Sequence, residues 1–420
     1  MPKVYVLGAG LTGLTIASEL KEGFDESIVI DGDSRAGGLC RTDNFHGFNH
    51  EFGVHVLYAK NEDQKRFWDG LIGNVVRDYR VRCAVDGKLD SFEALWDFPI
   101  SRHSLSRLNV DPEKVVTEPD YTNFETYMVS QIGRVAYELF VKHYNIKQWG
   151  IHPRDMSAEW AASRPLTLKE KHPKMFGEMW AGHPGSFNPA FEKLTEELTL
   201  RLNETVNGFI IGSGRVVGVT TTKETIYFEL DDVIINTLPL DEVFWYEKAL
   251  PWRGVYTLFA IVGTHNALPA YSVTFPNHHP WTRCVEYKKI TGQELTGSSL
   301  ISFDIPYDPA KGKPDEDEML DKARGFVAKE MNTSILQYYT RAVDKVYPVS
   351  TKNSIERCGF LLKKAADMKN FYTCGRLGLY AYISMSRAVE MAHETAELIR
   401  RPNTAEERLA HYLKLRSNLW

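Results

Sequence analysis

Three observations predict an α/β fold for this chain of 420 residues. It opens on an apolar run, Lys3-Val4-Tyr5-Val6-Leu7, that reads as a buried strand. That run leads straight into Gly8-Ala9-Gly10-Leu11-Thr12-Gly13, a helical pattern over 14–20, and a second apolar run at 27–30 that ends on Asp31. Over 101–190 the apolar spacing becomes that of short helices, punctuated by Pro153, Pro165, Pro173, Pro184 and Pro189. Past residue 206, β character returns and dominates up to residue 350. Together these predict a Rossmann-like nucleotide-binding domain with an inserted helical domain and an antiparallel β-sheet domain. The nucleotide-binding domain is discontinuous, expected over 1–100, 191–250 and 351–401. The helical domain takes 101–190, the antiparallel domain 251–350, and a C-terminal helix or tail 402–420.

Each element has its own signal. Residues 61–74 carry an amphipathic helical pattern. Residues 77–85 and 87–89 read as a hairpin closed by Trp96-Asp97-Phe98-Pro99-Ile100. Apolar residues recur at helical spacing through 124–131, 136–143, 157–163 and 191–202. Strands at 208–211 and 215–219 flank Gly212-Ser213-Gly214, a hairpin turn, and a third strand follows at 227–230. Val233-Ile234-Ile235-Asn236-Thr237 reads as a buried parallel strand rejoining the first domain. The antiparallel domain offers strands at 254–262, 283–289, 300–303 and 342–347, with an acidic amphipathic helix at 315–331. Phe371-Tyr372-Thr373-Cys374-Gly375-Arg376 reads as a strand entering a turn, and a helix rich in Ala, Glu and Met follows at 384–401.

The opening motif assigns a cofactor class. Gly8, Gly10 and Gly13 let backbone approach a pyrophosphate, and the start of the helix, at Leu11 and Thr12, adds N–H donors and positive potential. Asp31 is placed to accept hydrogen bonds from a ribose. A second glycine pair, Gly37-Gly38, follows with Leu39, then Arg41-Thr42 and Phe52-Gly53-Val54-His55. An NAD dehydrogenase would continue into its next helix instead. A second glycine pair followed by arginine resembles the FAD proteins of the amine-oxidase and glutathione-reductase type, because a longer pyrophosphate-linked tail and a large ring need more backbone close by.

Composition excludes other classes. Net charge is −5, so neither a nucleic-acid nor a membrane partner is expected, while the 12% of aromatic residues is slightly rich and suits planar ligands. The five cysteines (Cys40, Cys83, Cys284, Cys358, Cys374) are scattered, and read as reduced thiols of a cytoplasmic protein rather than a disulfide framework or metal site. With no signal peptide and no bilayer-spanning stretch, the cytoplasm is the expected location. His278-His279, His46, His143, His172 and His183 lack ligand spacing and read as solvated or packed; no metal is expected.

Chemistry outside the opening concentrates in Tyr144-Asn145-Ile146-Lys147-Gln148-Trp149-Gly150, where a tyrosine and a tryptophan five apart beside a lysine suit a flat ring with a polar edge. An aromatic stripe packing a helical core is the competing reading. Arg164, just before Pro165, stands at a helix end or loop, where it can clamp phosphate bidentately or serve as an ordinary surface arginine.

On these residues the chain resembles the flavin-dependent UDP-galactopyranose mutase family, as a divergent member. The 144–150 run is similar to that family's Y-x-x-K-x-W segment, which implies that Tyr144 and Trp149, with Asn145 between them, hold the nucleotide base. Arg164 matches the mobile-loop arginine that closes over the diphosphate. Trp281-Thr282-Arg283 resembles the lead-in to a second diphosphate arginine, and Tyr347-Pro348-Val349 a segment whose tyrosine contacts the diphosphate. Phe52-Gly53-Val54-His55 resembles the turn beside the flavin, placing His55 near its reactive nitrogen. Gly375-Arg376-Leu377 and the helix that starts at Ser384-Met385 resemble the final FAD-binding segment. The resemblance implies an isomerase that interconverts pyranose and furanose forms of a nucleotide-diphosphate sugar, UDP-linked and galactose-like. Its reduced FAD attacks the anomeric carbon through flavin N5 to give a covalent adduct. It further implies a reductant, NAD(P)H or a reductase, and an oligomer as one state of the chain. Departures fall around the sugar and diphosphate pockets. Ile305 stands where a further tyrosine is usual, with Tyr307 nearby as the substitute. Met175-Phe176 lack a tyrosine, and Ser384 replaces an acid. Two rivals remain open on the same scaffold: an FAD-dependent amine oxidase or desaturase-type oxidoreductase, and a non-catalytic FAD- or sugar-nucleotide-binding protein.

Overall fold

The computed structural model describes residues 2–72, 79–98, 100–162, 180–244 and 249–417. The first strand, Val4–Leu7, is the middle of a five-stranded parallel sheet in the order Phe371–Thr373, Val233–Asn236, Val4–Leu7, Ser27–Ile30, Thr199–Arg201. All four residues of the first two strands are buried, which is why they read as continuous apolar runs. Helices Leu11–Leu20, Lys352–Asp367 and Met385–Ile399 pack their apolar residues into this sheet's core. Segments distant in sequence thus build one α/β nucleotide-binding domain.

Several elements differ from the sequence expectation. Val81–Cys83 pairs with Trp96–Phe98 and Ser272–Thr274 rather than forming a hairpin with 87–89, and the third strand of the small sheet is Thr225–Tyr227 rather than 227–230. The helix expected over 191–202 is Asn188–Thr195, and Thr199–Arg201 is instead the edge strand beside Ser27–Ile30. Alternating polar residues hide a short edge strand inside a helical pattern. The helix Lys352–Asp367, not expected from the sequence, is capped by a reciprocal Thr351–Ser354 box, a local signal that the sequence does carry.

The second sheet has seven strands, in the order Ile335–Pro348, Trp252–Val262, Ser299–Tyr307, Arg283–Glu286, Ser272–Thr274, Val81–Cys83, Trp96–Phe98. It is antiparallel except where Ser272–Thr274 runs parallel to Val81–Cys83. Strand periodicity divides the long strand between two cores. Tyr256, Leu258, Ala260 and Val262 face the helix Glu316–Glu330, while Val255, Phe259 and Ile261 pack with Tyr58, Val285 and Tyr287 on the other face. The helical segment centres on Phe124–Ala136, a π-helical turn Tyr137–Lys142 and the helix His143–Trp149. The last of these ends at Gly150, φ +70, where Arg253 donates from Nε to the Gln148 carbonyl (3.2 Å) and from Nη2 to the Lys147 carbonyl (3.0 Å). Among the described residues, no helix is long and apolar enough to cross a membrane.

Candidate active site

One cavity of about 510 Å³ lies where the two sheets and the helical segment meet. Its nucleotide-binding end is built by glycines. Gly8 leaves the first strand at φ +109. A Cβ on Gly13 would sit 2.0 Å from the Gly8 carbonyl oxygen, so helix and strand approach closely only because residue 13 has no side chain. Gly38, at φ +58, packs so tightly on Gly10 that a Cβ would lie 3.1 Å from the Gly10 Cα. The Gly37 N–H donates to the Ala9 carbonyl (2.8 Å), binding the two glycine segments together. Gly10 itself is different: its φ is −77° and a Cβ there would meet no protein atom within 4 Å. Protein packing does not demand this glycine, but a ligand in the cavity would. The helix that begins here has no side-chain cap, so its first amides suit an anion.

Leu11, Thr12, Asp31 and Leu39 line the same end. The Asp31 carboxylate accepts from the Ala9 N–H (2.6 Å) and the Asp33 N–H (2.7 Å); burial pushes its acid above the usual carboxylate range. Gly375, Arg376, Ser384 and Met385 close the cavity from the last segment. Gly375 abuts Thr12, where a Cβ would be 2.9 Å from Oγ1. Ser384, which stands where an acid was expected, caps the helix Met385–Ile399 by accepting from the Arg387 N–H (3.2 Å).

At the centre is the 52–55 turn, with Gly53 at φ +89. The His55 ring is half-buried at the cavity wall, and its Nδ1 is shielded with no hydrogen-bond partner among the described residues. Burial pushes the imidazole down to about 4, with Glu51 opposing that shift and Arg376 and Arg283 adding to it. A glycine cradle in which a Gly10 Cβ would meet only the cavity, with the unpartnered His55 ring at its wall, fits a flavin-type cofactor.

The far end carries Tyr144, Arg283 and Tyr347. Arg283 heads its strand and donates from Nε to Asp304 Oδ2 (2.5 Å) on the neighbouring strand, directly opposite in register. Asp304 is buried and also accepts from Thr257 Oγ1 (3.1 Å). Burial works against the charge on Arg283, but Asp304 outweighs it and holds the guanidinium well above its ordinary value. A Cβ on Gly53 would lie 3.4 Å from Arg283 Nη2, so the guanidinium reaches the 52–55 turn. Burial pushes the Tyr144 phenol up to about 12 and that of Tyr347 higher still.

Three other sequence-assigned residues stand behind this wall. Trp149 packs edge-on against Tyr347 (5.9 Å) and Tyr382 (6.1 Å), and its Nε1 donates to Asn145 Oδ1 (3.1 Å). Asn145 in turn donates to the Val141 carbonyl (2.8 Å). Neither lines the cavity, nor does Tyr307, whose hydroxyl is bound to Asp344 and whose ring covers Gly254. Arg164, Met175 and Phe176 lie outside the described residues.

Sequence reasoning missed Asp304, Tyr382 and the role of Lys147. Tyr382 lines the cavity between Tyr347 (5.1 Å) and Arg376, whose guanidinium carbon sits 4.9 Å from the ring centre. Lys147 donates to the carbonyls of Phe275, His279 (2.9 Å) and Trp281 (3.0 Å), pinning the loop that delivers Arg283. Burial pulls its ammonium down to about 8. The signal for Asp304 was present: a lone acid in an apolar strand must have a partner.

Comparison with known proteins agrees with this arrangement. The family model described as UDP-galactopyranose mutase matches residues 139–382, and one described as an NAD(P)-binding Rossmann-like domain matches residues 6–71. A UDP-galactopyranose mutase of Mycoplasma pneumoniae is 22% identical over 93% of this chain and 94% of its own length. A dTDP-fucopyranose mutase of Escherichia coli is 22% identical over 95% and 98% respectively. Among solved structures, a reduced UDP-galactopyranose mutase superposes with a TM-score of 0.80 at 16% identity, covering 99% of this chain and 97% of that one. With its family model matched over more than half of the sequence, the chain belongs to the UDP-galactopyranose mutase family.

Proposed function

We propose that the chain binds FAD in the glycine cradle and, with that FAD reduced, interconverts the pyranose and furanose forms of a UDP-linked, galactose-like sugar. The observation that carries this reading is the shared cavity: Arg283, Tyr347 and Tyr144 open onto the same space as Gly10, Asp31 and His55. Reduced FAD, when bound, supplies a nucleophilic ring nitrogen for the anomeric carbon. The protein's own part is positioning and charge. Gly8, Gly10, Gly13 and the helix start hold the cofactor's pyrophosphate, Asp31 its ribose, and Gly38, Gly375, Arg376 and Met385 flank it. The planar guanidinium of Arg283 pairs with the substrate diphosphate, where negative charge grows as the sugar–phosphate bond breaks. Arg164 is proposed as its partner cation. Tyr144 and Tyr347 orient the nucleotide, and Trp149 with Asn145 backs Tyr347. An external reductant is required once, since the reaction itself has no net redox change.

An oxidase acting on an apolar amine has no need of a cation held at Arg283. Arg283→Ala and Arg164→Ala are therefore expected to retain FAD yet lose most turnover of UDP-galactofuranose. Near-wild-type rates in both variants would refute the diphosphate assignment, and oxygen consumption with amines would favour the oxidase.

A further inference from the structure

Behind the 52–55 turn lies a polar cluster with no part in the proposed chemistry. Glu51 and His183 are both 0% exposed, and Thr42 is buried beside them. Thr42 Oγ1 donates to Glu51 Oε1 (2.6 Å), and His183 Nε2 lies 3.2 Å from Glu51 Oε2. The protons can be located from the remaining donors. The Gly185 N–H points at His183 Nδ1 (2.9 Å), so that nitrogen carries a lone pair and the ring proton is on Nε2, donated to Glu51. The Phe187 N–H points at Thr42 Oγ1 (2.9 Å), which leaves the hydroxyl proton for Glu51. Both carboxyl oxygens therefore accept, and Glu51 is a carboxylate beside a neutral imidazole. The cluster keeps a negative charge in the interior, satisfied by the Thr42 and His183 hydrogen bonds and with no lysine or arginine paired to it among the described residues, a costly arrangement for stability alone.

Its placement points to a purpose. Thr42 follows the Gly38-Leu39-Cys40 segment, and Glu51 leads into Phe52-Gly53-Val54-His55; both segments line the cavity. Asn188 clamps the Thr42 backbone at both its N–H (3.0 Å) and its carbonyl (2.9 Å). The Tyr287 hydroxyl binds the carbonyls of Glu51 (3.0 Å) and Gly53 (3.2 Å). The field of Glu51 reaches both segments, raising the proton affinity of His55 and of Cys40. Among the described residues, His50, His55, His183, Cys40 and Tyr287 are the titratable groups that feel its charge.

We propose that Glu51 is a positioning residue of the cofactor site: it ties the 38–42 and 52–55 segments together and sets a fixed negative charge behind the flavin, which lowers the flavin's reduction potential. This rests on the reading of the cavity as a flavin site. Wild-type protein that takes up no FAD overturns that reading; the outcomes below, obtained on FAD-loaded protein, bear on Glu51 alone.

The test uses holoprotein. Nitrogen-15 NMR of histidine-labelled wild type at neutral pH is expected to show His183 as the neutral Nε2–H tautomer; a doubly protonated His183 overturns the charge assignment. Dye-equilibrium titration of Glu51→Gln is expected to raise the reduced-to-oxidised flavin ratio about tenfold at a given potential, about 30 mV for a two-electron couple. Glu51→Asp, which keeps the charge, is expected to restore most of the wild-type ratio. A folded, FAD-loaded Glu51→Gln with the wild-type ratio overturns the proposal. Loss of FAD from folded Glu51→Gln supports the tying role, because Glu51 does not itself line the cavity.

Discussion

Replacing Asp304 with asparagine tests whether Arg283 acts as a preset cation. The carboxamide keeps the shape of the side chain, and its oxygen can still accept from Arg283 Nε, so the perturbation is loss of charge rather than loss of packing. Asp304 is 2% exposed and the Arg283 side chain 24% exposed, with 2.5 Å between Oδ2 and Nε. A hydrogen bond between charged groups contributes roughly 1.5–3 kcal/mol, and partial exposure of the arginine places this one in the lower half of that range. About 1.5–2 kcal/mol of lost orientation corresponds to a loss of about 10–30-fold in kcat/KM. The assay is conversion of UDP-galactofuranose by dithionite-reduced enzyme, followed by chromatography, on Asp304→Asn, Arg283→Ala and the double variant. If Asp304 works through Arg283, the double variant is no slower than Arg283→Ala alone. Unchanged kcat/KM in Asp304→Asn, or losses that simply add, would refute the reasoning.

Two further outcomes follow from the same geometry. Gly10→Ala is expected to leave the thermal stability of the FAD-free protein within experimental error while weakening FAD binding at least about tenfold, because its Cβ meets only the cavity; Gly13→Ala, which collides with the Gly8 carbonyl, is expected to lose both. The His55 imidazole titrates near 4 in the folded protein against an ordinary value of 6.5. The unfolded chain therefore binds the extra proton first, and stability falls as pH drops through that window, by about 2 kcal/mol between pH 7.5 and pH 5. His55→Gln is expected to flatten this part of the FAD-free protein's stability profile, and an unchanged slope in urea titrations across it would count against a neutral, half-buried imidazole.

How much was legible in the sequence follows from how local each interaction is. The strand, glycine loop, helix and Asp31 at the start are contiguous, so spacing alone identified them. Arg283 and Tyr347 were found by resemblance, because residues from separate strands meet only once a sheet register is fixed. Asp304 escaped for the same reason: it stands opposite Arg283 in a neighbouring strand, 21 residues on. Glu51 and His183 are 132 residues apart, and nothing in either neighbourhood announces the other. The resemblance implies that Trp149 touches the nucleotide together with Tyr144, but only packing decides which face of a helix meets the cavity: Tyr144 lines it, and Trp149 stands behind Tyr347. The edge strand Thr199–Arg201 was hidden because three residues carry too little periodicity to separate from the helix before them.

The central claim, ring interconversion with no net redox change, is tested most directly by incubating FAD-loaded protein with UDP-galactopyranose and UDP-galactofuranose, before and after reduction by dithionite, and separating the products. The account predicts that the reduced protein reaches the same pyranose-rich mixture from either side and turns over many times per flavin, while the oxidised protein is nearly inert. Flavin oxidation in step with product formation, or equal rates in the oxidised protein, would contradict it.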